Sequence, residues 1–255
     1  MYEKYIKRLL DIPFASIFIV ILLIQFAIIA ALIKLDSKGP VFFIQKRAGK
    51  NLKPFMVYKF RTMTTNAPKN CPTNNLTNAN VYITRLGEIM RKLSIDELPQ
   101  LINVVKGDMS LVGPRPVILF ETDLLLEREK YNANSCKPGI TGWAQVNGRD
   151  ELVTSVKAKM DGEYANQISF AMDAKCLLMT IGAVLSIKGN KNGHELANAD
   201  LIQQQPRIIT NPQTAFYAKV SSQTGKTNKR SVVRRKDSTK LEENEANEYS
   251  EVVLS

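Results

Sequence analysis

The stretch from Met90 to Pro116 reads MRKLSIDELPQLINVVKGDMSLVGPRP and contains two adjacent carboxylates, Asp96 and Glu97. Ser94 and Glu97 fit the S-x-x-E capping box of a helix start. The apolar residues that follow at helical spacing are Leu98, Leu101, Ile102 and Val105. Gly107 is a natural helix stop. The pattern therefore predicts a helix with the acidic pair in its first turn.

The acidic pair has arginines on either side, Arg91 upstream and Arg115 downstream between two prolines. A helix N-terminus favours negative charge and attracts phosphate. Like charges this close raise one pKa unless a cation intervenes, and a divalent metal on one carboxylate would leave the other free as a nucleophile. A structural explanation is also open: a capping Glu97, an Asp96 at a helix start, and surface ion pairs. Spacing alone favours it, because this pattern marks helix starts far more often than active sites.

The composition limits the partners and the metal. The chain has 255 residues and a net charge of +11, which indicates an acidic partner such as anionic lipid, nucleotide or nucleic acid. Cys71, Cys136 and Cys176 are scattered, which argues against a disulfide framework and for reduced thiols facing the cytosol. His194 is the single histidine, so a zinc site is not expected. A metal here would be oxygen-liganded, hence Mg²⁺ or Mn²⁺.

An apolar run from Ile12 to Ile33 follows a short polar start. About 22 residues at 1.5 Å each give roughly 33 Å, enough to cross a hydrocarbon core. The run lacks a good cleavage site, so we interpret it as a retained membrane anchor. Basic residues lie on both sides of it. These flanks suit a hairpin that enters and leaves on the cytoplasmic face, and they also suit a single span.

The rest of the chain predicts a mixture of short strands and helices. The predicted strands are Val41–Ile44 and Phe55–Arg61. The predicted helices are Tyr82–Lys92, Val117–Tyr131 and Ile168–Ile187. The last helix is expected to lie along the membrane interface or to pack on the core. Residues 66–80, rich in Asn, Thr and Pro, predict a loop.

Two further segments can contact a ligand. The basic residues around the two strands suit anionic headgroups or phosphate, and Lys59 is better placed for a site because it lies on a strand. The glycine-rich residues 137–149 lack the P-loop and dinucleotide-binding patterns. They can form a tight turn around the only tryptophan, which we favour on the residues alone. They can also form a binding loop in which Gln145, Asn147 and Arg149 meet a ligand.

Five sequence blocks, in order, resemble the small monotopic phosphoglycosyl transferases among the bacterial sugar transferases. They are Lys7-Arg8-x-x-Asp11, Gly39–Phe43 with Gln45 and Arg47, Tyr58–Met63, Arg91–Pro116, and Pro138–Arg149. The resemblance covers roughly residues 1 to 190, and the last three blocks are highly specific.

The resemblance implies an enzyme that transfers a sugar 1-phosphate from a UDP-sugar to polyprenyl (undecaprenyl) phosphate and releases UMP. Such enzymes act through an aspartyl-phosphosugar intermediate and start the membrane stage of capsule, exopolysaccharide, O-antigen or glycoprotein-glycan synthesis. Matched by position, Asp96 is the nucleophile and Glu97 holds Mg²⁺ or Mn²⁺. The phosphate-binding residues of the family map onto Lys59, Arg91 and Arg115.

The family's nucleotide-sugar loop maps onto Gln145, Asn147 and Arg149. The implied fold is an α/β (α+β) unit, mostly helical with short strands, with a re-entrant N-terminal membrane helix and interfacial amphipathic helices. The implied domains are an anchor at 1–36 and a catalytic domain at 37–190 on the cytoplasmic face of the bacterial inner membrane. Residues 191–255 form a polar tail that is expected to be disordered.

The anchor departs from the family in one respect. Members of this size typically carry a Ser-Pro pair midway along the anchor, where the helix turns back, whereas the matching Leu22–Phe26 has no proline. A straight span would carry Lys4, Lys7 and Arg8 across the membrane against the positive-inside rule. We therefore expect the hairpin.

Two other function classes stay open. A membrane-tethered module that binds anionic lipid or nucleotide without catalysis would keep its binding activity after Asp96→Asn. A metal-dependent phosphodiesterase would release sugar phosphate without a lipid acceptor. Nucleic-acid binding is not expected, because the basic residues lie near the anchor and the tail without interleaved aromatics.

Overall fold

A computed structural model describes residues 1–68, 79–148 and 152–185. Within these ranges the chain is mostly helical with two small two-stranded sheets, which confirms the predicted mixed class. The helices are α1 (Lys7–Ile21), α2 (Leu23–Asp36), α3 (Ala79–Tyr82), α4 (Arg85–Lys92), α5 (Gln100–Lys106), α6 (Thr122–Lys130), α7 (Trp143–Val146), α8 (Thr154–Asn166) and α9 (Phe170–Leu185). The strands are β1 (Phe42–Ala48), β2 (Pro54–Phe60), β3 (Ser110–Val112) and β4 (Gly139–Thr141). The predicted tail at 191–255 lies outside the described residues.

The N-terminal apolar run forms two helices with a break between them, which the expected hairpin requires. The segments Tyr2–Ile21 and Leu23–Asp36 meet at an angle of 60°. In the described part of the chain no single helix is long and apolar enough to cross a membrane, but this bent pair has the length and composition to do so. Its exposed apolar side chains include Phe14, Ile17, Val20, Ile24, Ile28 and Leu35.

The bend arises without a proline because the two helices pack on different surfaces. Ala15 of α1 is fully buried in a cluster with Val104 of α5. Phe26 of α2 packs edge-on against Phe60 of β2, with ring centroids 5.3 Å apart. The break at Leu22 lies between these two surfaces. Tertiary packing therefore accounts for the bend.

Three charged residues of α1 reach the rest of the protein. Lys7 donates a hydrogen bond to Asp173 of α9, and Arg8 donates to two carbonyls at the end of α5. Asp11 accepts a hydrogen bond from the Ser110 hydroxyl of β3 (2.7 Å). Because each charge has a partner on a different element, α1 is held in one orientation.

The two sheets bring distant motifs together. β1 and β2 form an antiparallel hairpin in which Phe43 pairs with Lys59, and β3 and β4 are parallel. Close approach of β3 and β4 requires glycine: a Cβ on Gly139 would lie 2.0 Å from Gly113 N, and one on Gly142 would lie 2.1 Å from Gly113 O. The segment after β3 therefore lies beside the glycine-rich loop after β4.

Two predicted helices are shorter than expected. The segment Tyr82–Lys92 is interrupted by Thr84, whose hydroxyl accepts a hydrogen bond from Gly87 N (3.0 Å) and caps α4. The segment predicted as a helix from Val117 to Tyr131 is helical only in α6, because the Val117 carbonyl accepts a hydrogen bond from Ala48 N (2.9 Å).

Other predicted elements agree with the structure. The two predicted strands are confirmed as β1 and β2, and the helix predicted at Ile168–Ile187 is confirmed as α9. Helix α8 was not predicted from the sequence. The predicted loop at residues 66–80 falls mostly outside the described residues.

Candidate active site

Asp96 and Glu97 lie on a single 3₁₀ turn of three residues just before α5. The predicted capping box is therefore wrong. Ser94 adopts a left-handed conformation with φ of 56°, and its side chain makes no capping hydrogen bond. Glu97 does not complete the box because two cations bind its carboxylate instead. Helix α5 ends at Gly107, as predicted.

The Glu97 carboxylate is held on both oxygens by cations from two other segments. Lys59 Nζ of β2 donates to Glu97 Oε1 at 2.7 Å. Arg115 Nη2 lies 2.9 Å from Glu97 Oε1, and Arg115 Nη1 donates to Glu97 Oε2 at 3.2 Å. This two-point arrangement is the fork geometry that arginine offers to carboxylates and phosphates. The structure therefore brings together two of the three predicted phosphate-binding residues.

The neighbouring Asp96 has a different environment. It is 9 % exposed, and among the described residues its carboxylate accepts no hydrogen bond. Burial raises the pKa of Asp96, against the opposing charges of Lys59, Arg91 and Arg115. Burial also acts to raise the pKa of Glu97, but Arg115 and Lys59 outweigh it and hold that pKa well below its usual range. The site thus shifts the pKa values of the two adjacent carboxylates in opposite directions, which is typical of catalytic pairs.

Arg91, the third predicted phosphate-binding residue, is oriented by a residue that sequence reasoning missed. Its Nε donates a hydrogen bond to the Thr62 hydroxyl at 2.8 Å. Close packing at Gly87 keeps α4 on this segment, since a Cβ there would lie 2.1 Å from Thr62 O. Arg91 therefore adds its charge beside Asp96 from the last turn of α4. Thr62 lies inside the Tyr58–Met63 block, and that position was the only feature of the sequence that pointed to a role for Thr62 at the site.

The predicted nucleotide-sugar residues make local contacts. Gln145 Nε2 donates to the Ile140 carbonyl at 3.1 Å, and Asn147 Nδ2 donates to the Trp143 carbonyl at 2.8 Å. Both side chains thus stabilise their own turn, and Arg149 lies outside the described residues. Their role in binding a nucleotide stays a prediction. The turn itself lies next to Gly113, two residues before Arg115.

The donor set at this site suits magnesium only together with an anionic substrate. In the described ranges, no three His, Cys, Asp or Glu side chains cluster closely enough to hold a metal ion by themselves. Mg²⁺ usually takes one or two carboxylates plus substrate phosphates. Glu97, the predicted metal ligand, can supply one such carboxylate. Because Lys59 and Arg115 already neutralise Glu97, a further cation fits when a diphosphate adds negative charge.

Comparison with known proteins places the chain in a family. Residues 2–187 match the family model described as Bacterial sugar transferase. The chain is 44% identical over 187 residues to the uncharacterized sugar transferase EpsL of Bacillus subtilis, covering 72% of this chain and 89% of the relative. It is 38% identical over 186 residues to the UDP-glucose:undecaprenyl-phosphate glucose-1-phosphate transferase of Escherichia coli, covering 70% and 40%. It is 38% identical over 190 residues to the UDP-N-acetylgalactosamine-undecaprenyl-phosphate N-acetylgalactosaminephosphotransferase of Aeromonas hydrophila, covering 71% and 44%.

The matched region contains both N-terminal helices, the acidic turn and every predicted site residue from Lys59 to Arg149. The chain spans most of EpsL but less than half of the other two relatives. The family model covers well over half of the chain. The chain therefore belongs to the bacterial sugar transferase family.

Proposed function

We propose that this chain transfers a sugar 1-phosphate from a UDP-sugar to polyprenyl (undecaprenyl) phosphate, with release of UMP. The reaction passes through an aspartyl-phosphosugar intermediate and is the first membrane step of glycoconjugate synthesis. Two relatives are named for undecaprenyl-phosphate sugar-phosphate transfer, which supports the substrate class. The observation that carries the proposal is the contrast within the acidic pair. Cations bind Glu97, whereas Asp96 beside it accepts no hydrogen bond among the described residues.

In the first step, a carboxylate oxygen of Asp96 attacks the β-phosphorus of the UDP-sugar. A bond forms between that oxygen and phosphorus, and the bond from the β-phosphorus to the bridging oxygen breaks. UMP leaves with the bridging oxygen and the electron pair. Lys59, Arg91 and Arg115 stabilise the negative charge that spreads over the phosphoryl oxygens.

In the second step, a phosphate oxygen of the polyprenyl phosphate attacks the same phosphorus. The bond to Asp96 breaks, and the carboxylate is regenerated. The product is a polyprenyl diphosphate sugar. Glu97 would hold Mg²⁺ together with the donor diphosphate, and the metal would supply positive charge to the phosphate oxygens.

We place the enzyme on the cytoplasmic face of the bacterial inner membrane. Beyond the bent pair, Ile89 of α4 and Leu93 just after it are exposed, and α9 exposes Phe170, Leu178 and Ile181. Exposed apolar faces of this kind are typical of helices that lie in a membrane interface. A position at the interface lets a lipid phosphate and a soluble donor reach the same turn.

The test is intact-mass analysis of the full chain after incubation with a panel of UDP-sugars and Mg²⁺, without lipid. With the correct donor we expect a mass gain of one sugar phosphate, located on the peptide that contains Asp96. One UMP should be released as each adduct forms, and undecaprenyl phosphate should then discharge the adduct. Asp96→Asn should gain no mass. The matched control is Asp123→Asn, an exposed aspartate at the start of α6, which should gain mass normally.

Other outcomes separate the alternatives. Turnover of the donor at full rate without an adduct on Asp96 would refute the covalent mechanism. Release of sugar phosphate without any lipid would indicate a phosphodiesterase. Donor binding that persists in Asp96→Asn, without turnover in either protein, would indicate a binding module.

A further inference from the structure

The segment Pro114–Val117, called here the Pro-Arg-Pro strap, carries Arg115 to the site. The two prolines have no backbone N–H, and the second restricts Arg115 to an extended conformation. The strap is instead held by its carbonyls, each bound from another part of the chain. The donors are Gly139 N to Pro114 O (2.9 Å), Arg128 Nη1 to Arg115 O (3.1 Å), Arg47 Nη1 to Pro116 O (3.3 Å) and Ala48 N to Val117 O (2.9 Å).

The donor to the Arg115 carbonyl belongs to a buried ion pair between two helices. Arg128 of α6 is 4 % exposed, and Asp161 of α8 is 1 % exposed. Arg128 Nε donates to Asp161 Oδ2 at 2.8 Å, and Arg128 Nη2 lies 2.6 Å from the same oxygen. One edge of the planar guanidinium therefore binds Asp161, while Nη1 binds the strap.

We propose that Arg128 is a positioning residue that acts through Arg115, which it orients towards Glu97. The backbone of Arg115 is fixed on one side by the carbonyl hydrogen bond from Arg128. Its side chain reaches Glu97 with both terminal nitrogens, at 2.9 and 3.2 Å. Asp161 fixes the plane of the Arg128 guanidinium and so decides where Nη1 points. This inference rests on the proposed function, in which Arg115 stabilises the transferred phosphate.

The variant Arg128→Lys separates the two contacts of the arginine, one with Asp161 and one with the Arg115 carbonyl. An ammonium group can still pair with Asp161, but it lacks the planar fork that also reaches the Arg115 carbonyl. In Arg128→Lys we expect kcat to fall about tenfold, since small misplacements of a catalytic group are costly. The KM for the UDP-sugar should change by less than about twofold, because the loss falls on the transition state. The melting temperature reports whether the variant still folds.

The decisive experiment is a double-mutant cycle with Arg115→Ala, read as kcat for UMP release. If Arg128 acts through Arg115, then Arg128→Lys should cost little or nothing once Arg115 is gone. The matched control is Arg61→Lys. Arg61 is also buried and also donates to backbone carbonyls, those of Ser37 and Lys38. Its effect, whatever its size, should be the same in both backgrounds. An equal loss from Arg128→Lys in both backgrounds would overturn the proposal.

A second measurement does not depend on activity. Phenylglyoxal modifies accessible guanidinium groups, and peptide mass analysis gives the rate at Arg115 relative to the exposed Arg85. We expect Arg115 to react at least about threefold faster in Arg128→Lys, because local release from Glu97 makes it more accessible. Asp161→Asn, which loosens the same guanidinium, should act in the same direction. An unchanged relative rate in both variants would overturn the positioning role, even if no sugar donor were turned over. Absence of transfer by the wild type with any donor would instead count against the proposed function.

Discussion

Two buried clusters of charge differ in how completely their carboxylates are bound. In the first, the Asp173 cluster, Asp173 accepts hydrogen bonds from Lys7, from the Tyr2 hydroxyl (2.7 Å) and from the Tyr164 hydroxyl (2.7 Å). Both of its oxygens are therefore occupied. In the second, the acidic turn, cations occupy both oxygens of Glu97, but within the described ranges Asp96 accepts no hydrogen bond.

Under the proposed mechanism, the difference separates charge that builds the fold from charge that performs chemistry. A buried carboxylate without a hydrogen-bond partner is costly for stability. The raised pKa of Asp96 is the sign of that cost, because the site disfavours its ionised form. The Asp173 cluster shows that the same chain can satisfy a buried carboxylate fully. No described group donates a hydrogen bond to Asp96, so its carboxylate is available to a substrate in the proposed mechanism.

The largest expected effect is that of Asp96→Asn on transfer. We expect kcat to fall by at least about a thousandfold, since an amide does not replace the carboxylate nucleophile. Stability should be unchanged or slightly higher, because a poorly solvated charge is removed. UMP release and the melting temperature measure the two effects. A variant that loses stability but keeps its turnover would contradict the contrast between the clusters.

The next effect is that of Glu97→Gln, with an expected fall in kcat of about a hundredfold. The amide keeps one acceptor oxygen but loses the charge that holds Lys59 and Arg115 in place. A higher Mg²⁺ concentration should also be needed for half-maximal activity. The control is Glu88→Gln, which removes an exposed carboxylate paired with Lys92 on α4. Equal activities of the two variants would contradict the role given to Glu97.

Lys59→Met should lower kcat about tenfold and move the acidic limb of the pH profile. Among the neighbouring charges, Lys59 has the largest effect in lowering the pKa of Asp96. Because burial raises that pKa, removal of Lys59 should raise it further. In the proposed mechanism, activity needs the ionised form of Asp96 and is lost as pH falls through its pKa. The loss should therefore begin at a higher pH in the variant. Lys46→Met, on the exposed side of β1, should leave the limb in place. A shift of the acidic limb to lower pH in Lys59→Met would contradict the assignment of this limb to Asp96.

The sequence was a good guide to which charged residues the fold would bring together. The motif blocks identified Lys59, Arg115 and the acidic pair, and the structure brings these residues together although they are far apart in the chain. The sequence was a poor guide to the local conformation of the acidic turn. The spacing of Ser94 and Glu97 predicted a capping box, but the carboxylate has stronger partners in Lys59 and Arg115, and tertiary charge overrides the local pattern.

Two further features, the position of the break in the expected hairpin and helix α8, could not be derived from the sequence, for related reasons. The bend at Leu22 has no breaking residue and follows from packing against two surfaces. Helix α8 was missed because its buried side includes Asp161 and Gly162, a charge and a helix breaker, where the pattern requires apolar residues. The charge is compensated by Arg128, and a Cβ on Gly162 would lie 2.3 Å from Tyr131 Cβ. Both explanations depend on contacts between distant segments.

The smallest expected effect on catalysis is that of the Asp173 cluster. Asp173→Asn leaves the buried ammonium of Lys7 without its counter-charge, and stability should fall by about 3 to 5 kcal/mol. Adding Lys7→Met removes the stranded charge, so the double variant should recover part of that loss. Measured well below the melting temperature, kcat should stay within about twofold of wild type in both variants. The cluster holds α1 to α9, and no hydrogen bond or ion pair among the described residues joins it to the acidic turn. As a control, removing the exposed Glu88–Lys92 pair should change stability by less than about 1 kcal/mol. If Asp173→Asn lowered kcat as severely as Asp96→Asn in folded protein, the division between structural and chemical charge would be wrong, and the orientation of α1 would be part of catalysis.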